Sequence, residues 1–213
     1  MADYKKPDYW QNKARQEGYP ARSVYKLKEM DEKFGLLKIP RSAAGGANGF
    51  RVLDMGAAPG SWSLYVLRKM SSVGTGFLAA VDLAPLSREF DRGLFDGGNF
   101  FFIQGDIADA AVCETILSKG PYSLIISDAA PSTTGNHTVD AARSLELAEA
   151  VVANAEKVLV RGGSLVIKIF QGGDAAYLLN RLKTLFAAAK SFKPKACRSE
   201  SFETYFIGQN FIL

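Results

Sequence analysis

GFRVLDMGAAPGSWSLYVLRKM, residues 49 to 70, passes from an apolar run through a glycine-hinged turn into a second, differently spaced apolar run. Phe50, Val52 and Leu53 read as a buried strand, and Ser61 to Met70 has the spacing of a helix. Strand, tight turn and helix in that order predict a nucleotide-type cofactor site in an α/β unit. Gly56 and Gly60 allow dihedrals and close approaches closed to larger residues, and Pro59 fixes the chain between them. Backbone N–H groups at the helix start would then face a ligand.

The turn discriminates among cofactors. A dinucleotide site needs G-x-G-x-x-G, whose second glycine lets the backbone approach a pyrophosphate, and Ala58 occupies that position. A P-loop needs a lysine after its second glycine, whereas Ser61 and Trp62 follow Gly60. S-adenosylmethionine, an adenosine with a small zwitterionic arm, fits a short turn that need not wrap phosphates. FLAAVDL (77–83) brings Asp82 to the end of the next strand, where a carboxylate can accept both ribose hydroxyls. FFFIQGD (100–106) ends in Asp106, placed to meet the adenine edge. A glycine turn alone is often only a turn, and a strand-terminal Asp only a helix cap. Their succession at three strand ends is harder to produce by structure alone.

Outward from this motif, strands are expected near 51–55, 77–82, 99–104, 122–127 and 163–169, with two more after 189. Helices are expected near 60–71, 109–119, 139–160 and 173–187. The alternation predicts a doubly wound α/β fold with helices on both faces. The 213 residues, 47% hydrophobic, suffice for one domain with a sizeable core. Its expected parts are a basic helical segment over 1–41, a small-residue linker SAAGGANG over 42–49, and an α/β core over 50–213. No internal repeat is visible. No apolar run reaches membrane-spanning length, and MADYKKPDYW lacks the apolar stretch of a signal peptide, so a cytoplasmic protein is expected. Cys113 and Cys197, far apart and outside any C-x-x-C pattern, are expected to be reduced thiols. His137, the single histidine, can build neither a His-rich metal site nor a Ser-His-Asp triad by itself and reads as a loop residue; no metal is expected.

The net charge of +4 hides an asymmetry. Residues 1–28 carry seven Lys or Arg against three acids, and residues 181–198 carry six bases and no acid, so the remainder is acidic. In the N-terminal segment the bases interleave with Tyr4, Tyr9, Trp10, Tyr19 and Tyr25. Bases that neutralise phosphates and rings that stack suit a nucleic acid. The competing reading is a solvated helix face whose aromatics pack on the core.

Ligands of open α/β sheets bind outside the carboxyl ends of the strands. YSLIISDAAPS is apolar until Asp128, and GGSLVIKIFQGG is apolar on both sides of Lys168. A lysine inside such a strand is costly to bury unless it has partners or a task, and adjacent strands would bring Asp128 and Lys168 together. A structural ion pair and a catalytic pair both fit. If the last strand, SFETYFIGQNF, runs antiparallel, Glu203 at its start joins them. In ARSVYKLKEM, Lys26 and Lys28 lie two apart and cannot share a helical face, so one points inward and the other to solvent.

Together these motifs resemble the FtsJ/RrmJ-like RNA ribose 2′-O-methyltransferases over nearly the whole chain. ARSVYKLKE resembles that family's first lysine motif at Lys26, DMGAAPGSW its cofactor loop, SDAAP its aspartate at Asp128, IKIFQG its second lysine at Lys168 and ETYFIG its glutamate at Glu203. The resemblance implies a Rossmann-like, class I fold with a seven-stranded, mostly parallel sheet whose last strand is antiparallel. It implies S-adenosylmethionine as cofactor, contacted at Gly60, Trp62, Asp82, Asp106 and Asp128, and Lys26, Asp128, Lys168 and Glu203 as the catalytic set. The family usually has glycine where Ser61 stands, and the 42–49 and 90–102 regions are longer than in the bacterial pattern. The implied reaction is methylation of a ribose 2′-hydroxyl, with Lys168 as base or as a group that orients the hydroxyl. The implied partner is ribosomal RNA within the large subunit, at a uridine, for a monomeric enzyme; transfer RNA is the rival substrate and a non-catalytic assembly factor the rival class. A nicotinamide enzyme would lack its pyrophosphate glycines.

Overall fold

The computed structural model describes residues 8–39, 49–172 and 174–213. Most of the expected linker, 42–48, and the start of the basic segment, 1–7, lie outside them. Six helices are described, α1 Tyr9–Gln16, α2 Val24–Phe34, α3 Ser61–Val73, α4 Ala110–Lys119, α5 His137–Val158 and α6 Ala175–Leu185. The strands are β1 Arg51–Met55, β2 Phe77–Asp82, β3 Phe100–Gln104, β4 Tyr122–Ser127, β5 Leu159–Phe170, β6 Phe186–Phe192 and β7 Glu203–Phe211. They form one sheet in the order β3-β2-β1-β4-β5-β7-β6. β1 to β5 pair in parallel, and β7 is antiparallel to both of its neighbours, as expected for the class I methyltransferase fold.

Successive side chains on a strand point to opposite faces, and the two faces have separate cores. Leu53, Met55, Ile125, Leu165, Ile167 and Phe206 pack against α4, α5 and α6. Val52, Leu78, Leu124, Ile126, Val166, Tyr205 and Ile207 pack with α1, α2 and α3. The N-terminal helices therefore share a core with the sheet. Tyr19 and Tyr25 are buried in it, whereas Tyr9 is 70% exposed. Most of the described arm's aromatic surface is thus packing, while Lys13 and Lys28 lie over those rings.

Two junctions differ most from the sequence expectation, and His137, expected in a loop, is the first residue of α5, behind the Asn136 cap. The helix expected to 187 ends at Leu185, and β6 begins at Phe186, ahead of the expected 189. FAAA continues the preceding helix pattern, but the Phe186 ring packs on Phe211 and over Gly208 of β7, where a Cβ would approach within 2.6 Å. Strand pairing and that ring contact override local helix propensity. Likewise α5 stops at Val158 and β5 starts at Leu159, before a register shift opposite Tyr122 and Leu124 that spans Gly162 at φ +82°.

The β1–α3 turn is held from three sides. Gly56 has φ +76°, its N–H donates to Val81 O at 2.9 Å, and a Cβ there would stand 2.5 Å from the Ala129 Cα. Asp54, fully buried at the end of β1, accepts from Ser63 Oγ on α3 at 2.6 Å, and its Oδ1 has no partner among the described residues. Burial pushes the Asp54 carboxyl up to about 7, against the Ser63 hydrogen bond and with help from Asp128 and Asp82. On the same helix, Tyr65 donates to Asp31 Oδ2 at 2.8 Å, tying α3 to α2.

Two outcomes follow from these contacts. Gly56→Ala combines a left-handed backbone with a clash against the Ala129 main chain and should lower unfolding free energy by ~1–3 kcal/mol in urea titrations. Because the folded state holds the Asp54 proton more tightly than the unfolded chain, its contribution to stability is complete below about pH 4 and is lost as pH rises to about 7. Asp54→Asn should therefore gain stability relative to the parent as pH rises over that window, read as the difference between their thermal midpoints. A difference that does not change with pH would contradict the raised pKa.

Candidate functional site

Strand register brings together the residues that the sequence singled out. Ser127 pairs with Ile167, so Asp128, just past β4, comes level with Lys168 on β5. Lys168 in turn pairs with Tyr205 on β7, and Phe170 pairs with Glu203. Two-residue periodicity puts Lys168, Tyr205 and Glu203 on the face covered by α2 and α3. Lys168 Nζ lies 3.1 Å from Asp128 Oδ1 and also donates to the Asp128 carbonyl oxygen. Tyr205 donates to the same Oδ1 at 2.6 Å.

Lys26 arrives from α2 and lies 2.8 Å from each Glu203 carboxylate oxygen. Of the two lysines on this helix it is the inward one, 9% exposed; Lys28 pairs with Glu17 near the surface. Both lysines of the site are thus paired with carboxylates and largely removed from water. Burial works to raise the Asp128 pKa, but Lys168, Lys26 and the Tyr205 hydroxyl outweigh it and hold the carboxyl below its ordinary range. Burial lowers that of Lys26, and Asp128 and Glu203 overcome the effect, so its ammonium is raised. The Tyr205 phenol is driven far up, first by burial and then by Asp128, and remains a hydrogen-bond donor.

The start of α2 is fastened to α3. Ser61 Oγ accepts from Ala21 N–H at 2.8 Å and donates to Ala21 O at 3.1 Å. The Trp62 indole N–H donates to Ser23 O at 2.8 Å, and its ring lies 5.9 Å from that of Tyr205. Trp62 is 2% exposed, so its side chain serves packing, and its main-chain N–H in the first turn of α3 is the group left to meet a ligand. Gly60, at φ +108°, caps that helix beside Phe95.

A cleft of about 330 Å³ opens at the carboxyl ends of β1, β2 and β4. It is lined by Gly56, Ala58, Asp82, Asp106, Asp128 and Ala129 among others, with no Lys or Arg among the described lining residues. Asp82 is oriented by two backbone donors, Ala58 N–H at 2.9 Å and Ala84 N–H at 2.8 Å. Asp106 accepts from Ala108 N–H at 2.9 Å. Asp82 and Asp106, with no Lys or Arg among the described lining residues, and Asp128, whose charge is shared with Lys168, disfavour phosphates and suit a ligand that offers hydroxyls and positive charge. That set of acceptors fits the sulfonium, ammonium and ribose of S-adenosylmethionine, with Asp82 and Asp106 available to the nucleoside and Asp128 shared with the ion-paired cluster.

Sequence reading missed Tyr205 and Asp54. Tyr205 stands two residues after Glu203, so strand alternation alone places both on one face. The Asp54–Ser63 pair joins a strand to a helix nine residues on, which neither periodicity signals. Around Lys26 and Glu203 a second cleft, of about 490 Å³, includes Arg22, His137 and Phe202. Among the described residues, no group of three or more His, Cys, Asp or Glu could hold a metal ion, and no helix is long and apolar enough to cross a membrane.

The chain is similar to known proteins over nearly its whole length. The ribosomal RNA large subunit methyltransferase E of Treponema denticola is 50% identical over 98% of this chain and 96% of its own length. That of Oleidesulfovibrio alaskensis is 46% identical over 96% and 91%. The crystal structure of a Plasmodium falciparum protein described as a ribosomal RNA methyltransferase superposes with a TM-score of 0.73 at 27% identity, covering 91% of this chain and 99% of that one. The FtsJ-like methyltransferase pattern matches residues 19–211, and the chain belongs to that family.

Proposed function

We propose that this protein transfers a methyl group from S-adenosylmethionine to the ribose 2′-hydroxyl of a nucleotide, a uridine in the implied case, in large-subunit ribosomal RNA. One observation carries the reading: the paired Lys26–Glu203 and Lys168–Asp128 groups stand beside a cleft lined by carboxylates and free of described cations. The names of the bacterial relatives support ribosomal RNA as the substrate.

When bound, S-adenosylmethionine supplies a methyl group already activated by its sulfonium. What remains for the protein is to align the acceptor hydroxyl and manage its proton. Lys168 is the residue assigned to that proton. Lys168 pairs with the Asp128 carboxylate and donates to the Asp128 carbonyl, which fixes its amine at the acceptor side, either as base once it has given up its own proton or, as an ammonium, as the group that orients the 2′-hydroxyl. The Tyr205 hydroxyl keeps the shared carboxylate in place. Lys26 and Glu203 are assigned to hold the ribose and its neighbours, and Gly60, Trp62, Asp82 and Asp106, with Asp128, to bind the cofactor. On this reading a monomer suffices, because one chain carries both sets of residues, and the work is done in the cytoplasm.

Lys168→Ala should lower methyl transfer by ~100-fold or more while S-adenosylmethionine affinity, measured calorimetrically, stays near the parent value. Turnover like the parent's would refute the assignment of Lys168. Asp82→Ala should show the opposite split, with cofactor affinity falling by ~10–100-fold through loss of charged hydrogen bonds. The substrate is tested by incubating the protein with labelled S-adenosylmethionine and large subunits, naked ribosomal RNA or transfer RNA, then mapping the label. Label on a ribose of large-subunit RNA is the expected result. Label on transfer RNA would transfer the assignment to that substrate, and label on a base would overturn the ribose chemistry. No label with intact cofactor binding would point to a non-catalytic assembly factor.

A further inference from the structure

We propose that the cleft beside Lys26 and Glu203 is the seat of the acceptor nucleotide, with its base stacked on a ring shelf made by His137 and Phe202 and its phosphates met by Arg22 and Arg198. The assignment rests on the ribose-methylation reading and adds to it residues that lie outside the four ion-paired groups.

The shelf is built outward from the core. The Phe170 ring, 8% exposed at the end of β5, lies 4.7 Å from the half-buried ring of Phe202, which lies 4.5 Å from the exposed imidazole of His137, tilted by 36°. Phe202 is held by its main chain, whose carbonyl accepts from Gln171 N–H at 2.8 Å, and it immediately precedes Glu203. His137 opens α5, a helix already capped by the Asn136 side chain, so its ring is not needed to start the helix. An exposed ring continuing an aromatic ladder, next to a site that must hold a nucleoside, offers a planar face to a base.

Charge then sets the direction of the chain. His137 borders two clefts. On one side, a cleft of about 380 Å³ is lined by Glu146, Glu149 and Asp174, which repel a phosphodiester. On the other, the cleft holds three cations, Arg22, Lys26 and Arg198, against two acids, Glu200 and the Glu203 already paired with Lys26, whereas the first has acids without a described lining cation. Arg22 is fixed by its ion pair with Asp8 and by donating to Ala196 O at 2.6 Å. Its guanidinium is lowered from its ordinary value by burial and then by Arg198, with Glu203 and Glu200 acting the other way. An RNA strand should therefore enter past the arginines and end its turn at His137, with the ribose between the shelf and Lys26. Because every base has a π-face, stacking here orients the nucleoside without choosing its identity.

The test compares His137→Ala, Phe202→Leu and Phe202→Tyr with the parent on the RNA that it methylates. Stacking on one base predicts that kcat/KM for RNA falls by about 5- to 100-fold in His137→Ala and Phe202→Leu. It should recover in Phe202→Tyr, and S-adenosylmethionine affinity should be unchanged in all three. Values within twofold of the parent for the first two variants would overturn the shelf while leaving the ribose reading intact. A parent that methylates no ribose would overturn both. Should Phe202→Leu fail to fold, shown by lost cofactor binding, His137→Ala, a change at an exposed side chain, decides the matter alone.

Discussion

Asp128 is a carboxylate that must stay charged where little water reaches it, and the arrangement around it follows from that requirement. An unpaired buried charge costs several kcal/mol, roughly, so partners have to be supplied with good geometry. They come from β5 as Lys168, from β7 as Tyr205 and, at longer range, from α2 as Lys26. Each depends on register. A slip of one residue between β4 and β5, or between β5 and β7, would turn the partner to the opposite face and leave the largely desolvated carboxylate without it. The pairing of these strands and the assembly of the charged cluster are thus one constraint.

The antiparallel direction of β7 is the topological element that completes the cluster. A parallel last strand would place its start at the far edge of the sheet, with Glu203 remote from Lys168. Running the other way, β7 begins where β5 ends, and Glu203 meets the lysine delivered by α2. The position of α2 depends in turn on Ser61 and Trp62, whose side chains bind the Ala21–Ser23 segment. α3 therefore also positions Lys26. Ser61 contributes two hydrogen bonds to this joint.

Charge along the carboxyl edge is divided by function. Asp82 and Asp106 give one cleft carboxylates without a described lining cation, the Lys168–Asp128 and Lys26–Glu203 pairs balance the middle, and the next cleft adds Arg22 and Arg198 beside Glu200. On the proposed reading, a cationic methyl donor and a polyanionic acceptor would meet different charge on the two sides of the cluster. The overall charge of +4 conceals this division.

Much of this was legible in the chain. The strand–turn–helix at 49–70, the carboxylates at strand ends and the lysine inside SLVIKIF are local patterns, set by side-chain period and by the cost of burying charge. They determine an α/β fold, a non-phosphate cofactor and a cluster near Lys168. The start of β6 at Phe186 was not legible, because FAAA satisfies a helix until β7 pairs with it. Tyr19 and Tyr25 likewise serve stacking or packing equally well in one dimension, and only the face they turn toward the sheet assigns them to the core. The convergence of Tyr205 on Asp128, and of His137 with Phe202, joins residues 77 and 65 positions apart. Local propensity carries no information over such separations. Strand register and helix packing supply it, because a hydrogen bond or a ring contact needs a particular distance and orientation in space.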